Sequence, residues 1–136
     1  MMNRMELKRG EVYIADLPVK ENSRIQGGKR PIVILSNDKN NQFCDFVHYV
    51  PLTSQMKRLD LPVHIEITSE FLYKPSMALC EQADREDKID LLQYIDKRVG
   101  RIGKLSEYDM QRISYGVAVQ FGFVFMLEPQ KQRCYA

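Results

Sequence analysis

The chain of 136 residues carries 20 Lys and Arg against 18 Asp and Glu, which gives a formal net charge of +2, and 44% of its residues are hydrophobic. These values are typical of a single globular domain, 1–136, and exclude a disordered, highly charged chain. The longest stretch without charged or strongly polar residues, 121–127, is far shorter than the ~20 residues that span a bilayer. Because the N-terminus also lacks the apolar segment of a signal peptide, we expect a cytoplasmic protein.

The cysteines and histidines predict neither a disulfide framework nor a metal site. Cys44, Cys80 and Cys134 are odd in number and widely spaced, whereas zinc sites use closely spaced pairs. His48 and His64 share no metal-binding spacing. We therefore expect a protein that works without a tightly held metal or other cofactor.

The first three-quarters of the chain predict a series of short strands. Segment 11–17 alternates apolar side chains between two faces and stops before Pro18, and segment 31–36 is continuously apolar and β-branched. The polar loop 19–29 between them holds a Gly-Gly pair suited to a hairpin turn, and 37–41 predicts another turn. The predicted strands are 11–17, 31–36, 43–52, 61–67, 76–81 and 98–102.

Helices are predicted at two places nearer the C-terminus. Ser106 and Asp109 form a capping box, after which apolar side chains recur at intervals of three, four and four until Gly122 ends the helix. That stripe is expected to pack on the chain's own sheet, with a dimer interface as the alternative, and consists of Met110, Ile113, Val117 and Phe121. A shorter helix is predicted over 87–92, and 128–136 is expected to be a frayed tail. Many short strands and few helices favour a small curled sheet or barrel.

Three segments combine residue types that bind phosphates or RNA. Segment 26–31 joins two glycines, which let a ligand approach the backbone, to adjacent Lys29 and Arg30. Segment 51–58 offers two hydroxyls and an amide at a strand end, followed by two cations. In segment 76–82, alternation places Ser76, Ala78 and Cys80 on one face of a strand, and Gln82 emerges at its end on the same side. For each segment taken singly, a purely structural explanation is favoured. These explanations are a solvated hairpin tip, a turn closing a strand, and a buried strand, respectively.

In order and spacing, however, these segments resemble the MazF/PemK family of ribosome-independent mRNA interferases, the toxins of toxin–antitoxin pairs. The similarity covers about 8–122, most of the chain. No single motif is specific, and it is their common register that carries the resemblance. The matching segments are 9–17, 26–31, 36–38, 51–54, 61–67, 79–82 and 87–88.

The resemblance implies a mainly β, SH3-like small barrel with a C-terminal helix and one or two short peripheral helices, assembled as a homodimer. It implies a growth-inhibiting endoribonuclease that cuts single-stranded mRNA at a short sequence, leaving a 2′,3′-cyclic phosphate and a 5′-hydroxyl without a metal. The implied partners are the RNA substrate and a separately encoded antitoxin, whose acidic, disordered segment would fold across the basic groove. No membrane partner is expected.

The same resemblance assigns roles to individual residues. Arg30 matches the family's catalytic arginine and Thr53 its catalytic threonine. Ser23 and Gln26 fall in the loop that closes over the substrate. Together with positions chosen for their phosphate-binding chemistry, the residues predicted to contact RNA are Ser23, Gln26, Gly27, Gly28, Ser54, Lys57, Ser76, Gln82 and Arg85.

The residue types account for the implied reaction. RNA carries its own nucleophile, the 2′-hydroxyl, so the protein needs to align it and to stabilise the charge added at phosphorus. Arg30 suits the second task because its guanidinium stays charged and grips two phosphate oxygens, and for the same reason it is a poor base. Thr53 would hydrogen-bond the phosphate or orient the 2′-hydroxyl. The sequence identifies no general base, since His48 lies in mid-strand and matches no family motif.

Two departures from the family pattern bear on RNA binding. The loop has one extra residue between Ser23 and Gln26, with Arg24 in place of an acid. The family's next arginine is displaced by one place to Arg85, which leaves Asp84 in its position. Because a shift of one residue turns a strand side chain to the opposite face, Asp84 would approach the RNA unless a β-bulge restores Arg85.

Two other functions remain open at this point. A non-catalytic nucleic-acid-binding or regulatory module of the same fold would keep the barrel without turnover. A gyrase poison has less support, because the related toxins that inhibit gyrase share a C-terminal tail with tryptophan and this chain contains no tryptophan.

Overall fold

The computed structural model describes residues 6–19, 21 and 27–123. The predictions for Ser23, Gln26 and the tail 128–136 lie outside the described residues. Within the described part the strands are β1 Glu11–Leu17, β2 Gly28–Ile34, β3 Phe46–Thr53, β4 His64–Ile67, β5 Ser76–Leu79, β6 Asp84–Asp87 and β7 Arg101–Lys104. The helices are α1 Asp38–Phe43, α2 Lys88–Tyr94 and α3 Glu107–Gln120, with a 3-10 turn at Cys80–Gln82.

The strands form one curled antiparallel sheet in the order β4-β5-β3-β2-β1-β7. The long strand β3 lies at its centre: it pairs with β2 along one side, and along the other with β6 at its start and β5 at its end. Such a split lets one strand contribute to two parts of a curved sheet, as in small barrels. The mainly β fold with a C-terminal helix and short peripheral helices is therefore confirmed.

Two apolar clusters lie on opposite faces of this sheet. Val33 and Val50 belong to the first cluster, which α3 covers, whereas Ile32 and Tyr49 belong to the second cluster, which is closed by α2. The alternation follows from the period of two in a strand, which sends neighbouring side chains to opposite faces. Because both faces are covered there, residues 31–34 of β2 are apolar, as their sequence indicated, whereas Lys29 and Arg30 stand at the less buried start of the strand.

Helix α3 packs on the chain's own sheet. The Ser106 hydroxyl accepts a hydrogen bond from the Asp109 amide at 3.1 Å, which confirms the predicted cap. Met110 and Ile113 are buried in the first cluster with Val117 packed against it, while Phe121 at the helix end is exposed. The predicted stripe is therefore correct over its first three members.

Several segments differ from expectation. Strand β2 begins three residues earlier than predicted, β3 and β4 each begin three residues later, and residues 80–81 of the predicted strand 76–81 lie in the 3-10 turn. Helix α1 replaces the turn predicted over 37–41, because the Asn37 side chain caps it by accepting from the Asn40 amide at 2.8 Å. Strand β6 was not predicted, since its four residues are all charged and its stability comes from pairing with β3. Strand β7 begins three residues later than predicted. No helix among the described residues is long and apolar enough to span a membrane.

Replacing Ile113 with Ala is expected to lower the free energy of unfolding by about 2–5 kcal/mol, because this fully buried side chain leaves a cavity under α3. Urea denaturation followed by circular dichroism measures the change. Gln111→Ala on the exposed face of the same helix is the control, expected within about 0.5 kcal/mol of the wild type. Equal losses in both variants would contradict this orientation of α3.

Candidate ribonuclease site

Arg30 lies near the start of β2 with its guanidinium held by two backbone carbonyls. The Nε atom donates to the Gly27 carbonyl at 3.0 Å, and Nη1 donates to the Leu52 carbonyl at 3.4 Å. The side chain is half-buried, and burial lowers the pKa of Arg30 from its ordinary value without removing its charge. A fixed, charged guanidinium whose Nη2 atom has no hydrogen-bond partner among the described residues suits an incoming anion.

Thr53 is brought to the same place by the end of β3. The Leu52 carbonyl that binds Arg30 belongs to the peptide bond preceding Thr53. The β2–β3 register, in which Ile32 faces Pro51, places Arg30 opposite Thr53 when continued by two residues. The Thr53 side chain is buried, and its hydroxyl oxygen accepts from the Gln55 amide at 3.2 Å. Two residues far apart in sequence thus share one end of the sheet.

Pro31 explains why the Leu52 carbonyl is available to Arg30. The Leu35 amide donates to the His48 carbonyl at 2.9 Å, which marks the hydrogen-bonded positions of the β2–β3 ladder. In an antiparallel ladder these positions recur at every second residue, so Pro31 and Leu52 occupy one of them. Proline has no N–H to donate. The guanidinium of Arg30 donates to that carbonyl instead.

The two glycines before Arg30 are required by the backbone. A Cβ on Gly27 would lie 2.7 Å from the Pro18 carbonyl oxygen and 2.8 Å from the Val19 Cα, so any side chain would push the strands apart. Gly28 has φ +80°, a left-handed conformation that favours glycine. The Gly27 carbonyl is thereby fixed where the Arg30 Nε reaches it.

The other predicted contact residues are divided between the two sheet faces. Ser54 and Lys57 are exposed just beyond Thr53. Met77 is the register partner of Thr53, so the neighbouring Ser76 points to the opposite face. Ser76 is buried there, and its hydroxyl donates to a backbone carbonyl. Gln82 lies in the 3-10 turn that follows β5.

Strands β3 and β6 pair in a regular register through Arg85, the arginine that is displaced by one place in the sequence. Tyr49 faces Asp84 and His48 faces Arg85, without a bulge between them. Asp84 consequently shares a face with Tyr49, and its charge is among the causes, after burial, that raise the pKa of Tyr49 to about 12. Arg85 lies on the other face, with its guanidinium 5.0 Å from the ring centre of Phe46. The backbone does not return Arg85 to the face of Thr53.

Much of the predicted basic charge is already paired. The Lys29 Nζ atom lies 2.9 Å from Asp96 Oδ2. The hydrogen bond from Lys29, followed by that from Arg98, lowers the pKa of Asp96 to about 2. Arg9 donates to the Ser114 hydroxyl at 2.6 Å and to the Leu35 carbonyl. Lys29 is thus neutralised by a carboxylate, whereas Arg30, like Arg9, is held by neutral groups and keeps its charge available.

Sequence reasoning missed His64 and Glu81 as a pair. The alternation of 61–67 places His64 and Glu66 together on the wet face, and Glu66 is indeed exposed. The side chain of His64 is only 10% exposed, because it packs against Glu81, with Nε2 2.7 Å from Oε2. No signal in a single sequence joins these two residues, which are 17 positions apart. Across residues 6–19, 21 and 27–123, no three His, Cys, Asp or Glu side chains are grouped as a metal site requires.

The fold and this site define a toxin class, and comparison with known proteins agrees. Residues 8–121 match the model of the PemK-like, MazF-like toxins of type II toxin–antitoxin systems, and the chain belongs to this family. It is 32% identical over 118 residues to the endoribonuclease MazF of Staphylococcus saprophyticus, covering 85% of this chain and 92% of that protein.

Solved structures share the fold at low sequence identity. MazF from Deinococcus radiodurans superposes with a TM-score of 0.70 at 15% identity, covering 88% of this chain and 99% of that one. A mycobacterial endoribonuclease in complex with its cognate antitoxin superposes with a TM-score of 0.66 at 20% identity, covering 87% and 97%. The curled sheet with its peripheral helices is therefore the fold of MazF toxins.

Changing Pro31 to Ala restores a backbone N–H opposite Leu52, and this amide is expected to bond the Leu52 carbonyl and displace the Arg30 guanidinium. Amide hydrogen exchange followed by NMR tests this expectation. The new amide at position 31 should be protected as well as that of Leu35, which already donates within the ladder. Exchange at the rate of an unstructured peptide would contradict the role given to Pro31.

Proposed function

We propose that the chain is a sequence-specific, ribosome-independent endoribonuclease of a toxin–antitoxin pair, with Arg30 and Thr53 as its catalytic residues. Family membership supports the class of activity. The observation that carries the residue assignment is the bond from the Arg30 guanidinium to the Leu52 carbonyl, one peptide bond from Thr53. It joins a phosphate-binding cation and a hydroxyl at one end of the sheet.

In the proposed reaction the 2′-oxygen of the RNA attacks the adjacent phosphorus. The new P–O2′ bond forms, the P–O5′ bond breaks, and the products carry a 2′,3′-cyclic phosphate and a 5′-hydroxyl. The 2′-hydroxyl loses its proton and the leaving 5′-oxygen gains one. No metal is required for this step, because the nucleophile belongs to the substrate and a guanidinium supplies the positive charge.

Arg30 would stabilise the extra negative charge at phosphorus through its Nη atoms, while Nε stays on the Gly27 carbonyl. The contact with Leu52 is long at 3.4 Å, so a phosphate oxygen can compete for the same Nη1 donor. Thr53 would donate its hydroxyl proton to a phosphate oxygen, since its oxygen already accepts from Gln55. The exposed Ser54 and Lys57 would hold the adjoining nucleotides.

The proposed partners follow from the same site. An antitoxin would lay an acidic segment over the cations that hold RNA, so that inhibitor and substrate compete. A mycobacterial endoribonuclease of this fold is known in complex with its cognate antitoxin. We also propose a homodimer that acts in the cytoplasm, where its mRNA substrate is found.

Arg30→Lys is expected to lower the cleavage rate at least ~10²-fold, because a lysine cannot grip two phosphate oxygens at once. Thr53→Val should have an effect of similar size. End-labelled RNA incubated with chelator, followed by analysis of cyclic-phosphate ends, measures the rate and the end chemistry together. Arg98→Lys is the matched control, since that side chain is 88% exposed, and it should cleave at the wild-type rate.

A wild-type protein that binds RNA and leaves it intact would support the non-catalytic module instead. Cleavage by folded Arg30→Lys at the rate of Arg98→Lys would remove Arg30 from the catalytic role. Circular dichroism of each variant separates loss of activity from loss of fold.

A further inference from the structure

His64 joins two segments of the chain that flank the candidate site. Its Nδ1 atom lies 2.9 Å from the Lys57 carbonyl oxygen and 3.0 Å from that of Arg58. Its Nε2 atom lies 2.7 Å from Glu81 Oε2. Carbonyl and carboxylate oxygens accept hydrogen bonds, so both ring nitrogens must donate, and the imidazolium form fits these partners.

The first segment held in this way is the turn after Ser54 and Lys57. Arg58 has φ +53°, a left-handed conformation that residues other than glycine seldom adopt. Its carbonyl is bonded by His64, and its guanidinium is bonded by both oxygens of Asp60 at 3.0 Å. The contacts from His64 and Asp60, together with the backbone bond from the Leu61 amide to the Arg58 carbonyl, keep the turn in an unfavourable conformation.

The second segment is the 3-10 turn Cys80–Gln82, which carries Gln82 next to Glu81. The Oε1 atom of Glu81 is buried and has no hydrogen-bond partner among the described residues. A partly buried ion pair with one unsatisfied buried oxygen is a poor source of stability. Its position between two candidate RNA-contacting segments indicates a different use.

We propose that His64 and Glu81 are positioning residues that set the spacing between the 54–58 segment and the Cys80–Gln82 turn, so that both segments engage the same RNA strand. This inference rests on the function proposed above. Neither residue contacts the reacting atoms: the imidazolium acts through the backbone of Lys57 and Arg58, and the carboxylate acts through the adjacent Gln82.

The charges around His64 predict how pH acts on this arrangement. Burial lowers the pKa of His64, but Glu81 and the two carbonyls outweigh burial and raise the pKa above its ordinary value of 6.5. The other charged groups facing it are the paired Arg58 and Asp60 and the exposed Lys57. The Cys80 thiol beside Glu81 titrates far above this range, since burial first and Glu81 second raise its pKa to about 12.

The direction of the pH effect follows from the imidazolium form of His64, which is the form that makes these contacts. Stability from His64 is fully present below the unfolded pKa of ~6.5 and is lost as pH rises through the higher folded value. The Michaelis constant for RNA should therefore increase over that interval. A histidine acting as general base would behave in the opposite way, because kcat would rise as the imidazolium loses its proton.

The test compares Glu81→Gln with Glu66→Gln, the same change at an exposed position on the strand of His64. Its first part uses no RNA. NMR titration of the His64 ring should give a lower pKa in Glu81→Gln, and the amides of Leu61 and His64, both bonded within the turn, should exchange about tenfold faster. Glu66→Gln should match the wild type in both measurements.

For the second part, a long transcript is first cut with the wild type to find the site that is cleaved fastest. Cleavage kinetics are then measured on an oligonucleotide that contains this site. Glu81→Gln should raise KM about tenfold with kcat changed less than threefold, and Glu66→Gln should change neither. In His64→Gln the KM should be high and independent of pH. In the wild type it should rise toward that value with increasing pH.

The outcomes separate the two proposals. If Glu81→Gln matches Glu66→Gln in both exchange and KM, the positioning role is overturned. If kcat of the wild type rises through the His64 pKa and His64→Gln loses kcat at constant KM, His64 is a base and the inference is wrong. A wild type without cleavage would overturn the proposed function, and with it the assigned purpose of the pair, even where NMR confirms the contacts.

Discussion

The bond between the Arg30 guanidinium and the Leu52 carbonyl depends on a gap in the β2–β3 ladder. A strand residue with an amide at position 31 would satisfy that carbonyl through the backbone, and the arginine would lose its acceptor. Proline leaves the carbonyl without a backbone donor across the ladder. The catalytic candidate is thus positioned by a missing hydrogen bond, and Gly27 provides the second carbonyl that fixes it.

Local pairing, rather than net charge, decides which cations can meet an anion. The chain has a charge of only +2, and Lys29, the neighbour of Arg30 in sequence, is engaged with Asp96. Arg30 donates to neutral carbonyls, so no carboxylate of the described residues competes with a phosphate for it. On the same face Asp84 adds a negative charge beside Tyr49. Under the proposed function, an RNA strand following this face would meet specific charges instead of a uniformly basic surface, a pattern suited to selecting a sequence.

The sequence predicted the elements that have a strong local signal. Strand β1 has the predicted bounds because its alternation is regular and Pro18 ends it, and α3 begins at the predicted cap, Ser106. Strand β6 and helix α1 were missed for a common reason. Four charged residues, or a segment rich in Asn and Asp, have weak propensity for a strand or a helix, and these elements form because neighbours supply pairing and caps.

The candidate site, too, was predictable in part: the sequence indicated some of its features, and others depended on the tertiary structure. Residue types and their order were enough to indicate the family, and the resemblance in turn implied Arg30 and Thr53 as catalytic residues, which stays a prediction. Only the tertiary structure decided that Pro31 frees the Leu52 carbonyl, that Asp84 rather than Arg85 shares the face of Tyr49, and that His64 is enclosed by Glu81 and a strained turn. Sequence periodicity assigns a side chain to one of two faces. It carries no information on which distant segment covers that face, because hydrogen bonds between strands and burial arise only when the sheet closes.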